Sequence, residues 1–112
     1  MSDQNETTCR IRQLNDRFRT SFIGGKVLQT EGISALPEAD QSRIRELVET
    51  FDDFTEGNDP YGEHDFGSIQ YNDMKIFWKI DYYNKSMSGG SENPADPAQT
   101  CRVLTIMLAS EY

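Results

Sequence analysis

The first apolar pattern along the chain predicts a helix over residues 7–22. Apolar side chains recur there at steps of three and four residues, which places them on one helical face. They are Ile11, Leu14, Phe18 and Phe22. Thr7 or Thr8 can cap the start of this helix, and Gly24 and Gly25 can end it. The arginines fall between the apolar positions, so we expect them to face water.

A second helix is predicted to begin at Pro37, because proline suits the first position of a helix, where its missing N–H would be unpaired. Glu38 and Asp40 follow in the first turn, where the helix dipole favours negative charge. The apolar stripe of this helix consists of Ile44, Leu47, Val48, Phe51 and Phe54. Residues 55–67 are rich in glycine and read as a loop.

Alternation of apolar and polar residues predicts a hairpin over residues 66–83, with its turn at Asn72-Asp73. In its second strand the side chains expected to face the core are Ile76, Trp78, Ile80 and Tyr82. Residues 26–30 are predicted to form a short strand, with a less regular extension toward Ile33. Residues 84–98 are predicted to form a flexible surface loop.

The last segment is open to two interpretations. Asp96-Pro97 resembles the start of a helix, but the run over residues 102–109 is rich in β-forming residues and suits a strand buried on both faces. We favour the strand. The chain is then a single α+β domain over residues 1–112, with two helices packed on a small antiparallel sheet and with residues 1–6 disordered.

Composition and charge argue against several classes of protein function. The chain has 112 residues and a formal net charge of −8. It contains no apolar run near the length of about 18 residues that spans a membrane, and its polar start lacks a signal-peptide pattern. Lysines are interspersed with aromatic residues over residues 75–85, as in proteins whose aromatic side chains stack on unpaired bases. The negative net charge argues against direct nucleic-acid binding. Cys9 and Cys101 are expected to be reduced thiols of a cytoplasmic protein.

Charge is concentrated in the middle of the chain. Residues 10–26 carry a net charge of +4, and residues 31–65 carry −9. Carboxylates spaced along a folded surface can imitate a phosphate backbone and dock a basic nucleic-acid-binding protein. The candidate partner-binding residues are Glu46, Glu49, Asp52, Asp53, Glu56, Asp59 and Glu63. The alternative is an ordinary solvated helix face.

The loop around the single histidine is the second candidate site. His64 lies between carboxylates and could act as a general base, or bind Mn²⁺, Fe²⁺ or Mg²⁺ together with Asp59, Glu63 and Asp65. In the alternative interpretation, these residues only hold the loop together. The chain has no phosphate-loop or dinucleotide-binding motif, so no cofactor is expected.

Six stretches resemble the small bacterial domain-of-unknown-function family 3768. They are Ile11–Asp16, Ala35–Gln41, Phe51–Thr55 with Asn58–Pro60, Gly62–Gly67, Phe77–Tyr83 and Arg102–Ala109. The resemblance implies a bacterial cytosolic protein, often carried with plasmid or other mobile-element genes. Such gene neighbourhoods are rich in proteins that disarm restriction or CRISPR systems, many of them small and acidic. Together with the acidic block, this favours a non-enzymatic protein that occludes a nucleic-acid-handling defence protein. The alternative is a small metal-assisted enzyme.

Overall fold

The computed structural model describes residues 3–112 as helices packed on one four-stranded sheet. The elements are α1 (Asp3–Ser21), β1 (Gly25–Gln29), α2 (Glu31–Ser34), α3 (Glu38–Glu49), β2 (Phe66–Tyr71), β3 (Met74–Tyr83), β4 (Cys101–Leu108) and a final 3-10 turn (Ala109–Glu111). The α+β class predicted from the sequence is confirmed. Among the described residues, no helix has the length and apolar character needed to cross a membrane.

The sheet has the strand order β1-β4-β3-β2. β2 with β3, and β3 with β4, pair antiparallel, but β1 pairs parallel with β4. The expectation of a purely antiparallel sheet is therefore wrong for one strand. A parallel pair needs a long crossover connection, and here two helices and the hairpin lie between β1 and β4.

The hairpin and the last strand follow the predictions. β2 and β3 meet at the Asn72-Asp73 turn, and residues 101–108 form a strand rather than a helix. β4 lies inside the sheet, and side chains on both of its faces are buried. The core lies between the helices and the sheet face formed by Trp78, Ile80, Leu104 and Ile106.

The ends of the helices differ from the predictions. α1 begins at Asp3, so neither Thr7 nor Thr8 caps it, and residues 3–6 of the segment expected to be disordered are helical. Residues 1 and 2 lie outside the described residues. The chain leaves α1 through Phe22 and Gly24, which both have a positive φ.

α3 ends at Glu49, before the last two residues of its predicted stripe. Phe51 and Phe54 nevertheless pack against the core from the loop, with ring centroids 5.5 and 6.2 Å from that of Trp78. They continue the apolar pattern without continuing the helix. Ile33 is also buried, but it belongs to α2 and not to an extension of the first strand.

Candidate functional site

The loop that carries His64 is anchored to one side of α1. Arg12 Nη1 donates a hydrogen bond to the carbonyl of Gly62 (3.0 Å), and Asn15 Nδ2 donates to the carbonyl of Glu63 (3.0 Å). Asp16, the next residue of the helix, faces the His64 ring. Residues at neighbouring positions of one helix therefore fix three consecutive residues of the loop.

Both ring nitrogens of His64 face carboxylates. Nδ1 lies 2.9 Å from Asp16 Oδ1, and Nε2 lies 3.5 Å from Asp59 Oδ2. The His64 backbone N–H also donates to Asp59 Oδ1 (3.1 Å), and the residue has a φ of 56°. The Phe54 ring stacks on the imidazole, with centroids 3.7 Å apart. The ring is thus held at both nitrogens and on one face.

Arg19 lies beside this histidine and is buried, with only 4% of its surface exposed. It donates to Asp16 Oδ1 (2.9 Å) and to the carbonyl of Phe51 (3.0 Å). Its guanidinium carbon is 5.2 Å from the Phe54 ring centroid and 5.3 Å from that of Trp78. The prediction that the arginines of the first helix face water is wrong here, because a guanidinium stacks on aromatic rings and is weakly hydrated.

The Glu63 side chain bonds a tyrosine of β3 rather than His64. The Tyr82 hydroxyl donates to Glu63 Oε1 (2.7 Å) and accepts from Asn15 Nδ2 (2.8 Å). Burial raises the pKa of Tyr82, and the bond to Glu63 raises it further, so the hydroxyl keeps its proton. Burial also raises the pKa of Asp65, with the charge of Glu63 as the next cause.

The residues considered for a metal site do not share one set of contacts. Asp59 and His64 contact each other, while Glu63 bonds Tyr82. Within the part of the chain that the structure describes, no three His, Cys, Asp or Glu side chains are grouped so as to hold a metal ion. Cys9 and Cys101 are both free thiols. The geometry around His64 supports a loop-holding role, since an imidazole between two carboxylates can donate to one or both of them.

Five of the seven candidate partner-binding acids form what we call the acidic surface. They are Glu46, Glu49, Asp52, Asp53 and Glu56, at the end of α3 and in the loop that follows. The other two turn inward: the Asp59 side chain is only 6% exposed, and Glu63 bonds Tyr82. The sequence pattern could not separate the two groups, because Asp59 is held by His64, which in turn contacts Asp16 of α1, and Glu63 is held by Tyr82 of β3.

Most of the acidic surface carries unbalanced charge. Glu46 pairs with Arg43, but among the described residues Glu49, Asp52, Asp53 and Glu56 form no ion pair. The last turn of α3 has no basic residue. The carboxylates thus gather at the negative end of a helix dipole, where negative charge is unfavourable for stability.

The loop that carries three of these acids is internally bonded. The Thr55 N–H donates to Asn58 Oδ1 (2.8 Å), and Asn58 Nδ2 donates to the carbonyl of Asp53 (2.8 Å). Phe54, between Asp53 and Thr55, is held by its stack on His64. The histidine cluster and the acidic surface, which the sequence suggested as two separate sites, are therefore parts of one structure.

Several residues that build this structure were not identified from the sequence. Asp16 and Arg19 gave no local signal, because His64 and Phe51, which they contact, are distant in sequence. Tyr82 was expected to face the core, but its hydrogen bonds with Glu63 and Asn15 were not predicted. Asn15 did carry a signal: it lies four residues after Ile11, on the buried side of α1, and it is fully buried. A polar residue at such a position needs hydrogen-bond partners.

Fold and site together define a small α+β protein with a polar loop fixed on its first helix and an acidic surface beside it. A family model described as a protein of unknown function (DUF3768) matches residues 29–111. The chain belongs to this family. Neither the curated proteins nor the solved structures contain a match. The matched range includes the His64 loop and the acidic surface but not α1.

Proposed function

We propose that this chain is a binding protein whose acidic surface docks a basic nucleic-acid-binding protein and blocks it. The observation that carries the proposal is a set of carboxylates at the end of α3 and in the loop after it that form no ion pair among the described residues. Half-buried Glu49 lies in the last turn of α3, where negative charge disfavours the helix, and Asp52, Asp53 and Glu56 are exposed in the loop. Charge that lowers stability and is not neutralised within the chain is suited to a cationic partner.

The way in which the loop is held supports the same proposal. Asn58 and the stack of Phe54 on His64 fix the backbone that presents Asp52, Asp53 and Glu56. A surface ordered before binding loses less conformational entropy when a partner docks. Its negative field also attracts a positive groove over a distance, which raises the association rate at low salt.

The partner class follows from this charge and from the family resemblance. A protein that binds the phosphates of DNA or RNA presents a groove of Lys and Arg, to which spaced carboxylates are complementary. We propose a cytoplasmic partner of a restriction or CRISPR system, which the acidic surface occludes by mimicking nucleic acid. The alternative of a metal-assisted enzyme using Asp59, Glu63, His64 and Asp65 has no comparable support, because both nitrogens of the imidazole face carboxylates.

The test is a charge reversal of Asp52, Asp53 and Glu56 to Lys in one variant. The immobilised chain is used to capture proteins from a nuclease-treated bacterial lysate. Captured proteins are identified and purified, and their binding is measured by calorimetry at several salt concentrations. We expect the variant to lose at least about a hundredfold in affinity, because three attractions become repulsions. We also expect DNA to compete with the chain for the partner.

The matched control reverses three exposed acids elsewhere, Glu31, Asp73 and Glu92, which changes the net charge by the same amount. Circular dichroism and unfolding curves establish that both variants fold. Retained binding by the Asp52/Asp53/Glu56 variant would refute the proposal. An equal loss in the control variant would refute it too, since net charge and not the acidic surface would then be responsible.

A further inference from the structure

A cavity beside α1 is lined by four cationic side chains. Its volume is about 220 Å³, and the cations are Arg10, Arg17, Lys85 and Arg102. Among the described residues that line it there is no Asp or Glu. In a chain with a net charge of −8, this is a local concentration of positive charge in a concave site.

The spacing along α1 builds one wall of the cavity. Arg10, Leu14, Arg17 and Phe18 follow each other at steps of four, three and one residues, and all four line the cavity. Positions at i, i+4, i+7 and i+8 share one side of a helix. The wall therefore combines two guanidinium groups with two apolar side chains. Arg12 and Asp16, which hold the His64 loop, lie on another side of the same helix.

Arg102 gives the cavity a buried cation that forms no direct ion pair within the described part of the chain. It is 3% exposed. Its Nε donates to Asn15 Oδ1 (2.7 Å), one terminal nitrogen donates to the carbonyl of Pro94 (2.5 Å), and its guanidinium carbon lies 5.2 Å from the Tyr82 ring centroid. These hydrogen-bond partners are all neutral, and the carboxylate of Glu63, whose charge acts on Arg102, is bonded to Tyr82 and not to the guanidinium. Burial lowers the pKa of Arg102, and the electrostatic effects of Tyr82 and Glu63 offset this only in part.

Asp96, on whose carboxylate two of these cations act, is bonded to other groups. Hydrogen bonds from the side chain of Gln99 and the backbone N–H of Ala98 lower the pKa of Asp96, and the charges of Arg10 and Lys85 lower it further. Asp96 is thus close enough for the charges of Arg10 and Lys85 to act on its carboxylate. Its carboxylate is nevertheless bonded to Gln99 (2.7 Å) and Ala98 (2.9 Å), and it does not line the cavity. Among the described residues, no carboxylate therefore lines the cavity or forms an ion pair with its four cations.

We propose that this cavity binds a small organic phosphate. The phosphate oxygens would bond the guanidinium groups of Arg10 and Arg17, with Arg102 and Lys85 adding positive charge, and the organic part would lie against Leu14. A phosphate offers several acceptor oxygens and up to two negative charges, which suits several converging cations better than a single carboxylate does. The small volume and the net charge of −8 disfavour a polyanion such as DNA. This inference is independent of the proposed function of the acidic surface.

The experiment is a titration of the ¹⁵N-labelled full chain followed by NMR at about 50 mM NaCl, where screening is modest. The probes are glycerol 3-phosphate, inorganic phosphate and glycerate, which has a carbon chain of similar size but a carboxylate. We expect saturable shifts confined to residues around the cavity, with a Kd of about 1 mM or tighter for glycerol 3-phosphate. We expect glycerate to bind at least about tenfold more weakly, because a phosphate accepts more charge-assisted hydrogen bonds.

Arg10→Gln and Arg17→Gln test the site without touching the buried Arg102, whose replacement could unfold the chain. Each is expected to weaken the binding of glycerol 3-phosphate about tenfold or more. Arg43→Gln, an exposed arginine on α3, removes the same charge elsewhere and should leave the Kd unchanged. Unsaturable or scattered shifts, an equal loss with Arg43→Gln, equal binding of glycerate, or tighter binding of a ten-nucleotide DNA strand would each overturn the proposal.

Discussion

Replacing Asn15 with alanine is expected to lower the free energy of unfolding by about 3 to 5 kcal/mol. The Asn15 side chain is fully buried and makes three hydrogen bonds. Its Nδ2 donates to the Glu63 carbonyl (3.0 Å) and the Tyr82 hydroxyl (2.8 Å), and its Oδ1 accepts from Arg102 Nε (2.7 Å). Neutral bonds contribute about 1 kcal/mol each, and a bond to a charged group about 1.5 to 3.

The loss is large because it leaves partners behind. Alanine would leave the buried Arg102 Nε without its acceptor, while the Pro94 carbonyl still accepts from a terminal nitrogen. An unpaired N–H of a buried charged group costs more than the bond was worth. Domains of this size have a total stability of roughly 5 to 15 kcal/mol. The substitution is therefore expected to remove a substantial part of the stability while leaving the fold assembled at low temperature.

The assay is urea unfolding at pH 7 followed by circular dichroism, with the free energy extrapolated to water. Gln13→Ala is the matched control, because Gln13 lies on the same helix but is exposed. It should change the stability by no more than about 0.5 kcal/mol. A cost below about 1 kcal/mol for Asn15→Ala, with an unchanged denaturant slope, would refute the reasoning that this network stabilises the fold.

Two further substitutions test the packing and the electrostatics. Gly67→Ala should lower the free energy of unfolding by about 1 to 3 kcal/mol, because the added Cβ would lie 2.3 Å from Trp78 Nε1. The control is Gly89→Ala, whose Cβ would have its nearest neighbour 3.9 Å away. It should be close to neutral in urea unfolding. Asp65→Asn should raise the melting temperature at pH 7, because burial raises the pKa of Asp65. A raised carboxyl pKa means that stability falls as pH rises from about 4 through the folded pKa. The advantage of Asp65→Asn over the parent should therefore grow across that range. An advantage independent of pH would contradict this account.

Local patterns predict most of the fold because most of its elements are fixed by short-range rules. The hairpin is the clearest example: strict alternation fixes which side chains of β3 face the core, and the Asn72-Asp73 turn fixes the register. The end of α3 was predicted too late in the chain. Phe51 and Phe54 keep the helical spacing in the sequence, although they pack on the core from the loop. The parallel pairing of β1 with β4 is a long-range contact that no local pattern encodes.

The candidate site could be predicted only in part, for the same reason. The sequence pointed to the His64 loop by its composition, but the partner Asp16 is 48 residues away and lies on α1. Burial of Arg19 depends on two aromatic rings, Phe54 and Trp78, that arrive from the loop and from β3. Charge counting located the acidic segment, yet it could not show that the Asp59 side chain is turned inward.

α1 connects the two sites that this structure suggests. One of its sides holds the His64 loop through Asn15 and Asp16, and another lines the cationic cavity through Arg10 and Arg17. Arg102 joins them, because it lines the cavity and donates to Asn15. Since α1 lies outside the range matched by the family model, family membership alone predicts neither the cavity nor the way the loop is held. Both depend on how the residues of this helix divide among its sides.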